Sequence, residues 1–158
     1  MPEPPPVIQP VDPRDPRVCA LVEASDELMR SLYPDESNHL VAAERLDHAD
    51  TVLLGALVGD HLAAIGAMVL HDGDVRYGEI KRVFTDPPFR GRGLSKALMA
   101  RLEEAAGERG AVVARLETGV SQPEALGLYR ALGYTARGPF GAYAADPLSV
   151  FMEKPLTA

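Results

Sequence analysis

The chain has 158 residues, 46% of them hydrophobic and 25% charged, with a formal net charge of -7. That length suits one domain with its own core, and the acidic balance argues against a general nucleic-acid binder, which needs a cationic footprint. Cys19 is the only cysteine, which excludes an internal disulfide framework and a cysteine-based zinc site, and no apolar run reaches the roughly 20 residues of a membrane span.

The opening "MPEPPPVIQP" lacks both the basic and the apolar region of a signal peptide. Its prolines predict an extended or disordered leader over residues 1–6, followed by a single cytoplasmic domain over residues 7–158. Residues 7–11 read as a first strand. Asp15 then offers an N-cap and Pro16 a first helical residue, with Val18, Leu21, Val22, Leu28, Met29 and Leu32 at helical spacing and Pro34 as the stop. "DESNHLVAAERLDHAD" predicts a second, shorter helix over residues 35–50, with Leu40, Val41 and Leu46 as its apolar positions.

The period then shortens. "TVLLGALVGDHLAAIGAMVLHDGD" holds two apolar runs joined at Gly59-Asp60, a hairpin signal, and Asp72-Gly73-Asp74 marks the next turn. Residues 75–85 predict a third hairpin strand, ended by Asp86-Pro87-Pro88, because proline cannot donate to a sheet ladder. Leu94, Ala97, Leu98, Leu102 and Ala105 place a core stripe on the following helix, with Gly107 and Gly110 at its end. "AVVARLETG" predicts a strand, "PEALGLYRALGY" a helix opened by Pro123, and "SVFMEKPL" a last strand. No internal repeat interrupts this order, which describes one mixed α/β sheet.

Between strand and helix stands Arg90-Gly91-Arg92-Gly93-Leu94-Ser95, followed by Lys96. A glycine-rich turn opening a helix exposes unpaired backbone N–H groups, and the helix dipole adds about half a positive charge there. Glycines let a bulky anion approach the backbone, and three cations add full charge. The alternative is a turn with solvated arginines; the strand before it and the amphipathic helix after it favour a pyrophosphate cradle.

The turn lacks the Gly-Lys-Ser/Thr of a P-loop and the third glycine of a dinucleotide fingerprint. It resembles the signature of the GNAT acetyltransferase superfamily, Arg/Gln-x-x-Gly-x-Gly/Ala, with Ser95 in the last small position. Val83-Phe84-Thr85, with Pro87 three residues before Arg90, is similar to the strand whose backbone pairs with the pantetheine arm in that family. "QPEALGLYRALGY" resembles the family's Asn-x-x-Ala-x-x-Leu-Tyr-x-x-x-Gly-Phe, with Gln122 for asparagine and Tyr134 for phenylalanine. The likeness covers residues 79–134, and the first 70 residues fit as topology. It implies a GNAT fold, a single mixed sheet of about six or seven strands flanked by about four helices. It also implies acetyl-CoA as co-substrate. Val83, Phe84 and Thr85 would meet the pantetheine, and Arg90, Gly91, Arg92, Gly93, Leu94, Ser95 and Lys96 the pyrophosphate. Gln122 is a further contact.

Transfer to an amine needs a neutral nucleophile, and an amine of pKa about 10.4 costs roughly 4.6 kcal/mol to deprotonate at pH 7. Glu79 stands where acetyltransferases resembling this chain often carry a catalytic glutamate; it also reads as a strand glutamate paired with Lys81 or Arg82, and Glu117 is the other candidate base. The oxyanion donor implied by the resemblance is the backbone N–H of Val83 on a bulged strand. Tyr129 occupies the general-acid position, and Ala125, Leu128 and Leu132 beside it allow a core tyrosine instead. Tyr33, Glu36 and His39 border the acceptor side in the family, and the same segment reads as a helix-capping loop with Asp35 or Ser37 as cap. The histidines lack a ligand spacing, so no metal is expected.

The expected function is acetyl-CoA-dependent N-acetylation of a primary amine on a small molecule or amino acid. Protein or peptide acetylation, O-acetylation and a non-catalytic acyl-CoA-binding module stay open, as does homodimerisation. No nucleic acid or membrane partner is expected.

Overall fold

The computed structural model describes residues 5–34 and 48–156. In chain order they form β1 (Val7–Pro10), α1 (Pro16–Leu32), β2 (Thr51–Val58), β3 (His61–Asp72), β4 (Arg76–Thr85), a 3-10 turn (Pro87–Phe89), α2 (Leu94–Glu108), β5 (Val113–Gly119), α3 (Pro123–Ala131), β6 (Thr135–Arg137) and β7 (Ser149–Pro155). Most of the helix expected over residues 35–50, with Glu36 and His39, lies outside the described residues, and residues 48–50 form a bend and turn. Among the described residues three α-helices stand beside the sheet, where about four were expected.

Local chemistry sets most of these boundaries. Asp15 caps α1 by accepting from the Arg17 N–H at 2.8 Å, and Pro16 opens the helix. Gly59 takes φ 62 in the two-residue turn that joins β2 to β3. Gly107 stays within α2; the helix ends at Glu108 and Gly110 turns left-handed at φ 88. There Ala111 N–H bonds Ala106 O and Gly110 N–H bonds Gly107 O, so both freed carbonyls are met. α3 stops the same way. Gly133 has φ 99, Tyr134 N–H bonds Tyr129 O at 3.0 Å and Gly133 N–H bonds Arg130 O at 3.1 Å. That closure brings the Tyr134 ring edge-on to Tyr129 at 5.9 Å, which gives the Tyr-x-x-x-Gly-Tyr pattern its physical reason.

The seven strands make one sheet in the order β1-β2-β3-β4-β5-β7-β6. All neighbours are antiparallel except β4 and β5, which run parallel and are joined through α2. One face packs on α2 and α3 through Met68, Ile80, Leu116 and Met152 against Leu98, Met99, Leu102 and Tyr129. The other packs on α1, where Val18, Leu21 and Val22 meet Leu53, Ile65, Ala67 and Phe84. Farther along that second face Tyr77, Phe140 and Phe151 form a smaller aromatic cluster. Each fully buried aliphatic side chain here contributes about 1.5–3 kcal/mol. β4 carries a bulge: Lys81 pairs with Ala67 and Phe84 with Ile65, so Arg82 and Val83 share the place opposite Gly66.

Replacing Gly133 with alanine should cost about 1–2 kcal/mol, because an L side chain is strained in the left-handed region. Urea unfolding should show a lower midpoint with an unchanged slope.

Candidate active site

After Thr85 the chain winds through the 3-10 turn to Arg90, whose N–H bonds Pro87 O at 3.2 Å. Gly91 and Gly93 then take φ 79 and 76. An added Cβ at either would meet no atom within 4 Å, so the left-handed backbone, not crowding, is what calls for glycine. Gly93 is the N-cap of α2 and no side chain caps that helix. The amides of residues 94–96 therefore have no intrahelical acceptor and face outward for an anion.

The cations stand beside this opening. Arg92 lies over the Phe89 ring at 4.9 Å and Arg90 over Phe84 at 5.7 Å, each guanidinium braced by an aromatic face. Lys96 is exposed on the first turn of α2. Ser95 Oγ and Thr85 Oγ1 are 2.8 Å apart and tie the strand end to the helix start. Leu94 is buried in the core, so only its backbone is offered to a ligand.

Beside the turn the sheet splits. β4 and β5 are paired from Tyr77↔Val113 to Ile80↔Leu116 and no farther. Beyond that point Val83, Phe84 and Thr85 form one wall of a wedge and residues 117–119 the other. Val83 packs its side chain toward α2 and Phe84 toward α1, which leaves their backbone as the wall.

Acidic and phenolic groups gather on the α1 face of this wedge. Glu79 is buried, with His71 Nε2 3.0 Å from Oε1, while Lys81 Nζ at 3.2 Å and the Tyr143 hydroxyl at 2.5 Å both donate to Oε2. Lys81 also donates to the Tyr143 hydroxyl at 2.7 Å. Burial pushes the Glu79 carboxyl up, but the His71 hydrogen bond, the Lys81 charge and the Tyr143 hydrogen bond outweigh it and hold it below the usual carboxylate range. Of the two pairings expected for Glu79, the one with Lys81 is present; Arg82 pairs instead with Asp26 of α1.

Glu117 is only partly buried on β5. Burial pushes up the phenols of Tyr33, Tyr129 and Tyr143, and the Glu117 charge adds to each. Tyr129 reaches about 12. Its hydroxyl has no hydrogen-bond partner among the described residues, unlike that of Tyr134, which donates to Glu103 at 2.9 Å. Tyr33, expected on the acceptor side, is turned inward: its hydroxyl donates to Gln122 Oε1 at 3.4 Å and accepts from Ser121 N–H at 3.2 Å. The Gly119 N–H also donates to Gln122 Oε1, so that carbonyl serves the β5–α3 turn. His71, Tyr143 and Asp26 are additions to the site that the sequence reading did not single out; their one sequence signal was the tyrosine in the glycine- and alanine-rich loop "GPFGAYAADP".

Residues 18–134 match the sequence model of the Acetyltransferase (GNAT) family. The chain belongs to this family. It is a GNAT-type N-acetyltransferase, an acyltransferase. It is 42% identical over 139 residues to a protein of Azospirillum brasilense named IAA acetyltransferase, a match covering 88% of this chain and 90% of that one. Among solved structures it is similar to an acyl-CoA N-acyltransferase of Klebsiella pneumoniae, with 35% identity, a TM-score of 0.80 and coverage of 96% and 98% of the two chains. The PaiA N-acetyltransferase of Thermoplasma acidophilum, solved with coenzyme A, shares the fold at a TM-score of 0.73 and 16% identity, over 95% of this chain and 98% of that one.

Glu79 makes part of the stability of this GNAT domain pH-dependent. Its folded carboxyl lies below the ordinary glutamate value, so the stabilisation is present above that ordinary value and is lost as pH falls through the folded one. In urea unfolding, wild type should exceed Glu79→Gln in stability at neutral pH, and the gap should narrow on acidification.

The glycine turn yields a second expectation. Gly93→Val strains the φ 76 backbone and should weaken coenzyme A binding about tenfold or more, measured by calorimetry on folded protein. Unchanged affinity would remove the cradle assignment.

Proposed function

We propose that the protein moves the acetyl group of acetyl-CoA to a primary amine of a small molecule or amino acid, at the wedge between β4 and β5. The observation that carries this reading is the continuity of the uncapped, glycine-built helix start with the stretch of β4 whose ladder to β5 has ended at Ile80↔Leu116. A phosphate group fits the first, and an extended chain with amide groups fits the second. When bound, acetyl-CoA supplies the activated thioester.

The chain's own groups divide the remaining work. The amides of residues 94–96 with Arg90, Arg92 and Lys96 hold the pyrophosphate. The Val83 N–H, on the bulge, serves as oxyanion donor. Glu79 has both oxygens occupied and a depressed carboxyl, which suits anchoring Tyr143 better than accepting an amine proton. Glu117 suits the base role better, being partly exposed and near enough for its charge to raise the Tyr129 phenol. Tyr129 stays protonated at about 12 with its hydroxyl unpartnered among the described residues. Full transfer from that phenol to a thiolate near 8.5 is uphill by roughly 5 kcal/mol, so Tyr129 donates a hydrogen bond to the sulfur, and the thiolate takes its proton from the nitrogen that became positive when the neutral amine attacked. Tyr143, pinned by Glu79 and Lys81, carries its loop across this face, which favours a small acceptor over a peptide strand.

Thiol release from acetyl-CoA, screened over amines, amino acids, peptides and IAA, tests the reading. Release with peptides alone would transfer it to protein acetylation, and coenzyme A binding without any release would make the protein a binding module. With the best acceptor, Tyr129→Phe should lower kcat by about 10²–10³-fold, the cost of a lost transition-state hydrogen bond, at nearly constant KM for acetyl-CoA. Glu117→Gln should lose kcat/KM chiefly at low pH and recover as the amine becomes neutral. If Glu79→Gln shows that recovery and Glu117→Gln does not, Glu79 is the base.

A further inference from the structure

Arg82 is the one residue other than glycine, among those described, whose φ is positive, at 59. It sits in the β4 bulge opposite Gly66, two residues past the last pair between β4 and β5. Bulges that need a left-handed residue ordinarily use glycine, because a side chain is strained there. An arginine in this place must therefore be held.

What holds it is visible. The Arg82 side chain is 4% exposed and its guanidinium is ion-paired with Asp26 of α1, 56 residues away in sequence. The bulge itself delivers the side chain to that partner. Glu79 and Lys81 face α1 and Ile80 faces α2; an unbroken strand would send Arg82 after Ile80 to the α2 face. The extra residue shifts the alternation, so Val83 takes the α2 face and Phe84 returns to the α1 cluster. Gly66 completes the device. A Cβ there would stand 3.0 Å from Leu102 Cδ1 and 3.5 Å from Val83 Cγ2, the side chain that the bulge has turned inward.

We propose that Asp26 and Arg82 are positioning residues for acyl-CoA: their ion pair holds the left-handed backbone at Arg82 and so keeps the far half of β4 away from β5, open to the pantetheine arm. The pair ties that half of β4 to α1 at the point where its ladder to β5 ends. This inference rests on the acyl-CoA reading above and assigns no contact between Arg82 and substrate.

The test compares two probes by calorimetry, coenzyme A and 3′-phospho-ADP, which keeps the pyrophosphate and lacks the pantetheine. Arg82→Ala and Asp26→Asn should weaken coenzyme A about tenfold or more, with 3′-phospho-ADP affinity held within about twofold, a difference of roughly 0.4 kcal/mol. Arg82→Gly should recover most of the lost coenzyme A affinity, since glycine adopts the left-handed backbone without a tether. Equal losses in Arg82→Gly and Arg82→Ala would overturn the proposal, as would loss of both probes in Arg82→Ala, which marks the pair as a general scaffold contact. Unaltered coenzyme A binding in Arg82→Ala would overturn it too. Wild-type protein that binds neither probe would instead remove the acyl-CoA reading on which the proposal stands.

Discussion

The backbone ladder between β4 and β5 stops at Ile80↔Leu116, and the use of this fold follows from that stop. Among the described strands every other neighbouring pair is antiparallel, while β4 and β5 run in the same direction and part toward their shared C-terminal end. Where they part, backbone groups lose a strand partner and must be met by something else. An extended molecule with its own amides can supply what β5 withdraws. The glycine turn lies at the open end, so one ligand can span both features.

Charge is arranged with the same economy. A chain of net charge -7 sets Arg90, Arg92 and Lys96 at one helix start and braces two of them on Phe84 and Phe89. On the opposite side of the wedge the carboxylates are divided by environment. Glu79 is buried and surrounded by donors, whereas Glu117 keeps partial access to solvent. Two acids of the same type, on neighbouring strands, are thereby fitted for different work: one holds a loop through Tyr143, the other keeps a face open to solvent.

Much of this was legible from residue order. Asp15 and Pro16, the Gly59 hairpin, and the alternating strands announce themselves through local chemistry, and so does the turn at Gly91 and Gly93. The Tyr129-to-Tyr134 pattern was legible as a motif and gains its cause only from the helix stop at Gly133. What stayed hidden depends on distance along the chain or on backbone angles that side-chain identity conceals. Nothing in Lys81-Arg82-Val83 signals a left-handed arginine, and Asp26 looks like any exposed helical acid until β4 is laid against α1. Tyr143 hides for another reason: a tyrosine in a loop has no period, so its tie to Glu79, 64 residues away, leaves no pattern to read. Tyr33 was expected on the acceptor side, whereas the direction of its hydroxyl toward Gln122 is a tertiary fact that no local pattern carries.

That direction has a bearing on engineering. Tyr33 lies flat on the β5–α3 turn, and a Cβ at Gly119 would overlap its ring. The same phenol reaches Ser121 and Gln122, the residues that lead into the helix carrying Tyr129. A mutant library that varies position 33 to admit new acceptors would therefore also retune the chain leading to Tyr129. Smaller residues at 33 would open space against Gly119 and free the Gln122 carbonyl in one stroke. The side chain at position 33 and the path of the chain into α3 are thus geared together at a single aromatic ring, and directed evolution would have to move residues 33, 119 and 122 as one unit.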